Sequence, residues 1–423
     1  MLALDLLYIL GALLIGPLYL LARVFKRKPL ASPLQRLGFV DPVLDDGRDV
    51  VWVHGVSVGE VLAARALVGG LDGAHVVVTS TTVTGLEVAV ATYPDCDVRS
   101  CPYDLSFAVR RFVARVRPRV LVLMELELWP NMLAVCRRAG VPVVVANGKV
   151  SEGSGRGYRQ IQRLCPNFLD GIGAFLMQNR EYADRLSALG VPESRIEVVG
   201  NLKYANVTFD TSRPTRTSLR GEHGFDDVAP IAIFGSTHAG EEGPILEACA
   251  AVAAAVEGFR AVLVPRHPER VPEVVRLVER AGLRVGLRSR RAEVRDPTCL
   301  VVDTMGELSS LYGLADVAFV GGTLVDVGGH NLLEPAGMGL PLVVGPHLHT
   351  VQDAASELAE AGVLEVVSGA DALADALIRL LSDSEARASV VSGARSVFAR
   401  HKGSAQRTIS VLTQVLRSSK RHG

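Results

Sequence analysis

The sequence predicts an α/β protein made of two Rossmann-like domains facing each other across a cleft, with an N-terminal membrane-anchor helix in front. Three observations carry this. Short apolar runs of β type alternate with helical stretches along most of the 423 residues, the pattern of parallel sheets joined by crossover helices. The runs fall into two sets, separated by the polar stretch 206–227, which loses the pattern and reads as a linker. Residues 6–22 carry no charge and are followed by Arg23, Lys26, Arg27 and Lys28.

The first set of runs is 50–54, 75–79, 120–124, 141–146, 172–177 and 196–199; the second is 231–234, 261–264, 300–302, 317–320, 342–344 and 364–367. Expected boundaries follow: anchor and basic flank 1–28, first domain 29–205, linker 206–227, second domain 228–395, and a C-terminal helix with a basic tail over 396–423. That tail reads most simply as a solvated end. The uncharged segment of 17 residues sits at the lower edge of what spans a bilayer, and no positive region precedes it as in a cleaved signal peptide. A single anchor with the bulk of the chain cytoplasmic fits the positive-inside rule, and the basic cluster would lie against anionic headgroups. A buried amphipathic helix is the alternative.

Composition excludes several classes. Hydrophobic residues at 48% and charged residues at 21% rule out a disordered chain. Forty-five basic and forty-five acidic residues cancel, so no whole-chain field draws nucleic acid. Six cysteines without a C-x-x-C pair argue for a reducing compartment and against a disulfide framework or zinc site. Asp95-Cys96-Asp97 matches a D-x-D metal pattern, but after Tyr93-Pro94 it reads as a turn, and no metal is expected.

Chemistry in such folds comes from loops at the C-terminal ends of strands. HGVSVGE, from His54 to Glu60, opens a helix after the first run. Ser57-x-x-Glu60 is a capping box, and Glu60 is equally placed to accept a proton from an attacking hydroxyl. TSTTVTG, from Thr79 to Gly85, offers hydroxyls and free N–H groups to a phosphate or sugar, or simply caps its helix. MELELWPN places Glu125 and Glu127 two apart, on one side of an extended segment, before Pro130 starts a helix. GNLKYA brings Lys203 to the end of the last run of the first set, where it could neutralise a phosphate or be an ordinary exposed lysine.

In the second set GSTHAGEE repeats the strand, glycine, hydroxyl and helix order. PRHPER joins Arg266, His267 and Arg270 between prolines as a stiff anion cradle. Met305-Gly306-Glu307 forms one more strand-end turn. GGHNLLEPAGMGLP, from Gly328 to Pro341, presents backbone N–H groups and the acid Glu334 to a nucleotide, or is a glycine turn with a helix-end acid.

HGVSVGE, TSTTVTG, CPYDL, MELELWPN, GNLK, GSTHAGEE, PRHPER, GEL, ADVAFVGG and GGHNLLEPA, in this order, resemble the 3-deoxy-D-manno-octulosonic acid (Kdo) transferases between about residues 50 and 350. The resemblance implies a GT-B fold, with the acceptor held mainly by the first domain and the nucleotide by the second. It implies inverting transfer of Kdo from CMP-Kdo, a substrate rather than a cofactor, to a lipid A precursor, without metal, at the cytoplasmic face of the inner membrane. Glu60 matches the general base, and Glu127 and Lys203 match transition-state stabilisers. Ser236, Thr237 and Gly240 would lie by the phosphate. Arg266, His267, Met305, Gly306, Glu307, Asn331, Leu332, Leu333 and Glu334 match the CMP site. Ser57, Gly59, Thr82, Thr84, Gly85 and Asn131 would line the acceptor side.

Two departures stand out. Lys149 replaces the usual arginine and loses its fork, and Asp326 enters a loop that is more often neutral. Two other functions fit the same residues: another nucleotide-sugar enzyme of this fold, and a non-catalytic, membrane-tethered lipid- or nucleotide-binding protein.

Overall fold

In the computed structural model, residues 4–6, 8–11, 13, 32–164, 168–290 and 297–420 are described. Every expected run is a strand. β1 (Val50–His54), β2 (His75–Ser80), β3 (Asp97–Ser100), β4 (Val120–Met124), β5 (Val143–Gly148), β6 (Ile172–Met177) and β7 (Ile196–Val198) form one sheet in the order β3-β2-β1-β4-β5-β6-β7. β8 (Ile231–Thr237), β9 (Arg260–Pro265), β10 (Val285–Leu287), β11 (Cys299–Val301), β12 (Val317–Val320), β13 (Leu342–Val344) and β14 (Leu364–Val366) form a second, in the order β10-β11-β9-β8-β12-β13-β14. Neighbouring strands run parallel, as in β1 with β4 and β8 with β12.

Helices cover both faces of a parallel sheet, so its central strands are apolar on both sides. In β4, Leu121 and Leu123 enter one core, while Val120, Val122 and Met124 enter the core on the opposite face. The two strands that sequence reading overlooked, β3 and β10, are edge strands. Each pairs on one side only. β3 carries Asp97 and Arg99, and β10 is three residues long, so neither shows a continuous apolar run.

The chain divides into two units, residues 1–206 with 401–423, and residues 207–400. The expected linker differs from this, and the C-terminal helix belongs to unit 1. Residues 206–227 are not a plain linker, because Arg213–Glu222 is a helix of unit 2. Its polar composition hid the pattern, since one of the residues it buries is an arginine. Arg220, 3% exposed, donates from Nε to Leu314 O at 2.8 Å and from Nη2 to Asp316 Oδ2 at 2.8 Å.

Ahead of the basic tail, helix Ser404–Lys420 sends Ala405 and Leu412 into the core of unit 1, and Arg407 Nη2 donates to Val199 O, while Arg417 of the tail is exposed as expected. His401 stacks on Tyr204 with ring centroids 4.0 Å apart, and its Nδ1 accepts from Asn201 N at 3.1 Å.

The basic flank 23–28 and much of 6–22 lie outside the described residues. Among the described residues no helix is long and apolar enough to cross a membrane. The described part of residues 4–13 is helical. Asp5 holds it to unit 1, accepting from Ser106 N at 2.8 Å, from Ser106 Oγ at 2.5 Å and from Asn131 Nδ2 at 3.0 Å.

Leu412 is fully buried, so Leu412→Ala should lower the stability of unit 1 by about 2–5 kcal/mol. Both tryptophans, Trp52 and Trp129, belong to that unit, so urea unfolding followed by tryptophan fluorescence isolates the effect. An unchanged midpoint would mean that the C-terminal helix contributes nothing to this core.

Candidate active site

In unit 1 the first loop after β1 ends in helix Val58–Ala63, capped by Ser57. The capping box forms. Glu60 N donates to Ser57 Oγ at 3.4 Å, Ser57 Oγ donates to Glu60 Oε1 at 2.8 Å, and Val56 N donates to Oε2 at 2.8 Å. Each carboxylate oxygen keeps lone-pair capacity for a further donor. Burial raises the Glu60 pKa above the usual carboxylate range, and the charges of Glu125 and Glu127 add to it. Capping and proton acceptance are thus compatible in one side chain.

The loop after β4 is a turn rather than the extended segment expected. Glu125 takes a left-handed φ of 53° and its N–H donates to Ala146 O at 2.8 Å, while Leu126 turns into the core. The left-handed conformation is costly for a residue with a Cβ, and such strain gathers at functional positions. Glu125 Oε1 meets Lys203 Nζ at 3.3 Å, so the lysine from the loop after β7 is held at the end of β4. Glu127 is pushed up by burial and then by Glu125. Tyr158 OH, donating to Leu126 O at 2.5 Å, backs the turn. Three carboxylates and one ammonium therefore gather at the C-terminal ends of β1 and β4.

The remaining acceptor-side candidates have local roles. Ser80, Thr81 and Thr82 each donate a hydroxyl to Val56 O, at 3.0, 3.2 and 3.2 Å, tying the second loop to the Glu60 loop. Thr82 Oγ1 also caps its helix by accepting from Gly85 N at 3.0 Å. A Cβ on Gly85 would come within 2.3 Å of Ser80 Oγ, so that close approach alone requires glycine. Thr84 is exposed, and a Cβ on Gly59 would make only an ordinary contact, 3.8 Å from Ser57 Oγ. Asn131 is buried, and its Nδ2 donates to Asp5 Oδ1 at 3.0 Å and Asp104 O at 2.7 Å, so its donors are committed to the protein while its Oδ1 has no partner.

In unit 2 the loops after β8, β9 and β12 come together around a carboxylate that sequence reading passed over. Glu241, with no exposed surface, accepts from His238 N at 2.9 Å, Gly322 N at 2.8 Å, Thr323 N at 3.0 Å and Leu324 N at 2.9 Å. Charge-assisted bonds of this kind weld the β8 and β12 loops together. Beside it, Ser236 has a φ of 58°, Gly240 a φ of 95°, and Thr237 is fully buried with no partner for its Oγ1. His238 Nε2 lies 2.7 Å from His330 Nε2, and His267 meets His238 edge-on at 5.4 Å between centroids. His238 and His330 each follow glycines in strand-end loops, a signal the sequence carried.

The expected anion cradle is narrower than three residues. Arg270 pairs with the buried Glu242, Nη1 to Oε1 at 2.7 Å and Nη2 to Oε2 at 3.3 Å, which leaves Arg266 and His267. Glu307 is held by Arg288 at 2.9 Å, next to Gly306, with a φ of 83°, and the exposed Met305. Asn331 Oδ1 accepts from Leu333 N at 3.0 Å and its Nδ2 donates to Glu334 Oε1 at 2.9 Å, while Leu332 and Leu333 are buried. Burial raises the pKa of Glu334. Asp326 faces His347 and His349 at 3.5 and 3.7 Å. Asp97 of the D-x-D pattern begins β3 and pairs with Arg99; among the described residues no group of three or more His, Cys, Asp or Glu could hold a metal ion.

Residues 32–206 match the family model described as 3-deoxy-D-manno-octulosonic-acid transferase (kdotransferase). A 3-deoxy-D-manno-octulosonic acid transferase of Haemophilus influenzae is 35% identical, over 90% of this chain and 91% of the relative. The enzyme of the same name from Bordetella pertussis is 35% identical over 86% of each chain. Among solved structures, UDP-GlcNAc 2-epimerase from Neisseria meningitidis covers 88% of this chain and all of its own, at 12% identity and TM-score 0.59. That likeness speaks to fold alone, a GT-B pair of Rossmann-like domains. With one in three residues shared over nine tenths of both chains, and the glutamates and lysine of unit 1 gathered as described, the protein belongs to the Kdo transferase family of glycosyltransferases.

Proposed function

We propose that the chain transfers Kdo from CMP-Kdo to a lipid A precursor in lipopolysaccharide synthesis, with inversion at the anomeric carbon and with Glu60 as general base. The observation that carries this is the Glu60 carboxylate. It is buried, raised in pKa and fixed by Ser57 and Val56 at a strand end, where a proton acceptor needs orientation as much as basicity. In the reaction the acceptor hydroxyl oxygen bonds to the anomeric carbon of Kdo as the bond to the phosphate oxygen breaks. The hydroxyl proton goes to Glu60 and the electron pair stays on CMP.

Glu127 faces the positive character that grows on the sugar, and Lys203 supplies positive charge for the departing phosphate. Arg266, His267, Asn331 and Glu334 hold the nucleotide, Glu334 at the ribose hydroxyls. The chemistry calls for no metal, because the charge that develops is met by protein cations and backbone N–H groups.

For location, we propose that residues 6–22 and the basic cluster 23–28 hold the protein at the cytoplasmic face of the inner membrane. In support, Leu6, Leu10 and Leu13 lie on the described helical part with 57%, 57% and 68% of their surface exposed, beside the docked Asp5.

The test is transfer from CMP-Kdo to a tetra-acylated, bis-phosphorylated lipid A precursor with a chelator present, read by mass spectrometry, with CMP and UDP as competing inhibitors. Products carrying added Kdo, inhibited by CMP and not by UDP, are expected. No product from folded enzyme would overturn the proposed acceptor, and dependence on added metal would overturn metal independence.

Glu60→Gln should lower kcat by about 100-fold or more while leaving CMP binding intact, since general-base catalysis contributes on that order. Glu60 accepts a proton only when ionised. Its pKa is raised, so kcat/KM should climb with pH through a value above the ordinary glutamate range. A pH profile whose acid limb lies at the ordinary value would contradict the role.

A further inference from the structure

His238 and His330 come from different strand-end loops of unit 2, and their Nε2 atoms lie 2.7 Å apart with ring planes within 3°. At that distance one proton must lie between the two nitrogens, one ring donating and the other accepting. By itself the pair resists a further proton. Burial first, then His238, Arg266 and His267, press His330 down to about 4; burial lowers His238 as well, with His267 and Arg266 opposing its charge and Glu241 and Glu242 favouring it.

Those two carboxylates are already engaged. Glu241 is saturated by four backbone N–H groups and Glu242 holds Arg270. Arg266 and His267, the latter with Glu269 Oε1 3.6 Å from its Nδ1, are thus the groups left to oppose a charge on the pair. Next to it, Thr237 offers a fully buried hydroxyl without a partner, and helix Glu242–Ala255 begins. A bound anion would satisfy all of these features together.

We propose that His238 and His330 act as one proton-accepting pair that takes up a proton when the phosphate of a cytidine nucleotide binds in unit 2. The inference rests on the nucleotide assignment made above for this unit and adds the protonation state. Phosphate oxygens beside the pair reverse the local field, so both imidazoles hold protons and donate to the anion. Transfer of the sugar converts a singly charged phosphodiester into a doubly charged monoester, so the pair binds the added proton more strongly as the bond to the sugar breaks. The pair is a positioning and charge-matching device, tuned to the leaving group rather than to the intact donor.

Proton counting tests it. CMP binding to the full-length protein is followed by isothermal titration calorimetry at pH 7.5, where free CMP is almost wholly dianionic, in two buffers of different ionisation enthalpy. Uptake of roughly half a proton or more per CMP is expected, with none for cytidine. His238→Asn and His330→Asn should each cut the uptake at least several-fold while still binding CMP, and His347→Asn should leave it unchanged. Circular dichroism confirms that each variant is folded, and either pair variant alone suffices. Equal heats in the two buffers, or full uptake in a folded pair variant that binds CMP, would overturn the proposal while leaving the nucleotide assignment standing. Absence of CMP binding to the wild type would overturn that assignment, and the proton-uptake proposal with it.

Discussion

Both sheets are parallel and buried on both faces, and the rest of the molecule follows from that constraint. Strands enclosed by helices on either side have no surface on which to display a polar group, so charged side chains are forced to the loops beyond the strand ends. Glu60 follows β1, Glu125 and Glu127 follow β4, and Lys203 follows β7; in the second sheet His238, Arg266 and His330 follow β8, β9 and β12. The sites lie where the topology leaves room for charge.

This placement explains why one residue can serve two ends. A helix that starts at the top of a strand has free N–H groups needing a partner; Ser57 meets that need, and Glu60 in turn holds Ser57 and Val56 with lone-pair capacity to spare. Glu241 takes the opposite course. It spends its whole carboxylate on backbone N–H groups, and the histidine and arginine side chains around it are left to answer any bound anion. One acid keeps room for a further donor because it is only half engaged, and the other ties the neighbouring loops together because it is fully engaged.

How much could be read from the residues depended on whether burial was apolar. The central strands, valine and leucine on both faces, were legible from periodicity alone. β3, β10 and helix Arg213–Glu222 were not, because what they bury is short, at an edge, or an ion pair such as Arg220 with Asp316. Within the site, Glu60, Glu127 and Lys203 were legible as strand-end acids and a base. The left-handed turn at Glu125 was not, since no glycine or asparagine marks it. His238 and His330 stood in motifs noticed for their glycines and hydroxyls, and only the fold brings residues 92 positions apart within 2.7 Å of one another.

The return of the C-terminal helix to unit 1 sets an order on biosynthesis. Leu412 and Ala405 complete a core whose strands run from β1 onward, yet the ribosome reaches them only after all of unit 2 has been made. Unit 2, continuous in sequence, can close while the nascent chain is still attached. Unit 1 must wait with one flank of its sheet uncovered until the final helix leaves the exit tunnel. The half of the molecule that is translated first is therefore the half that matures last.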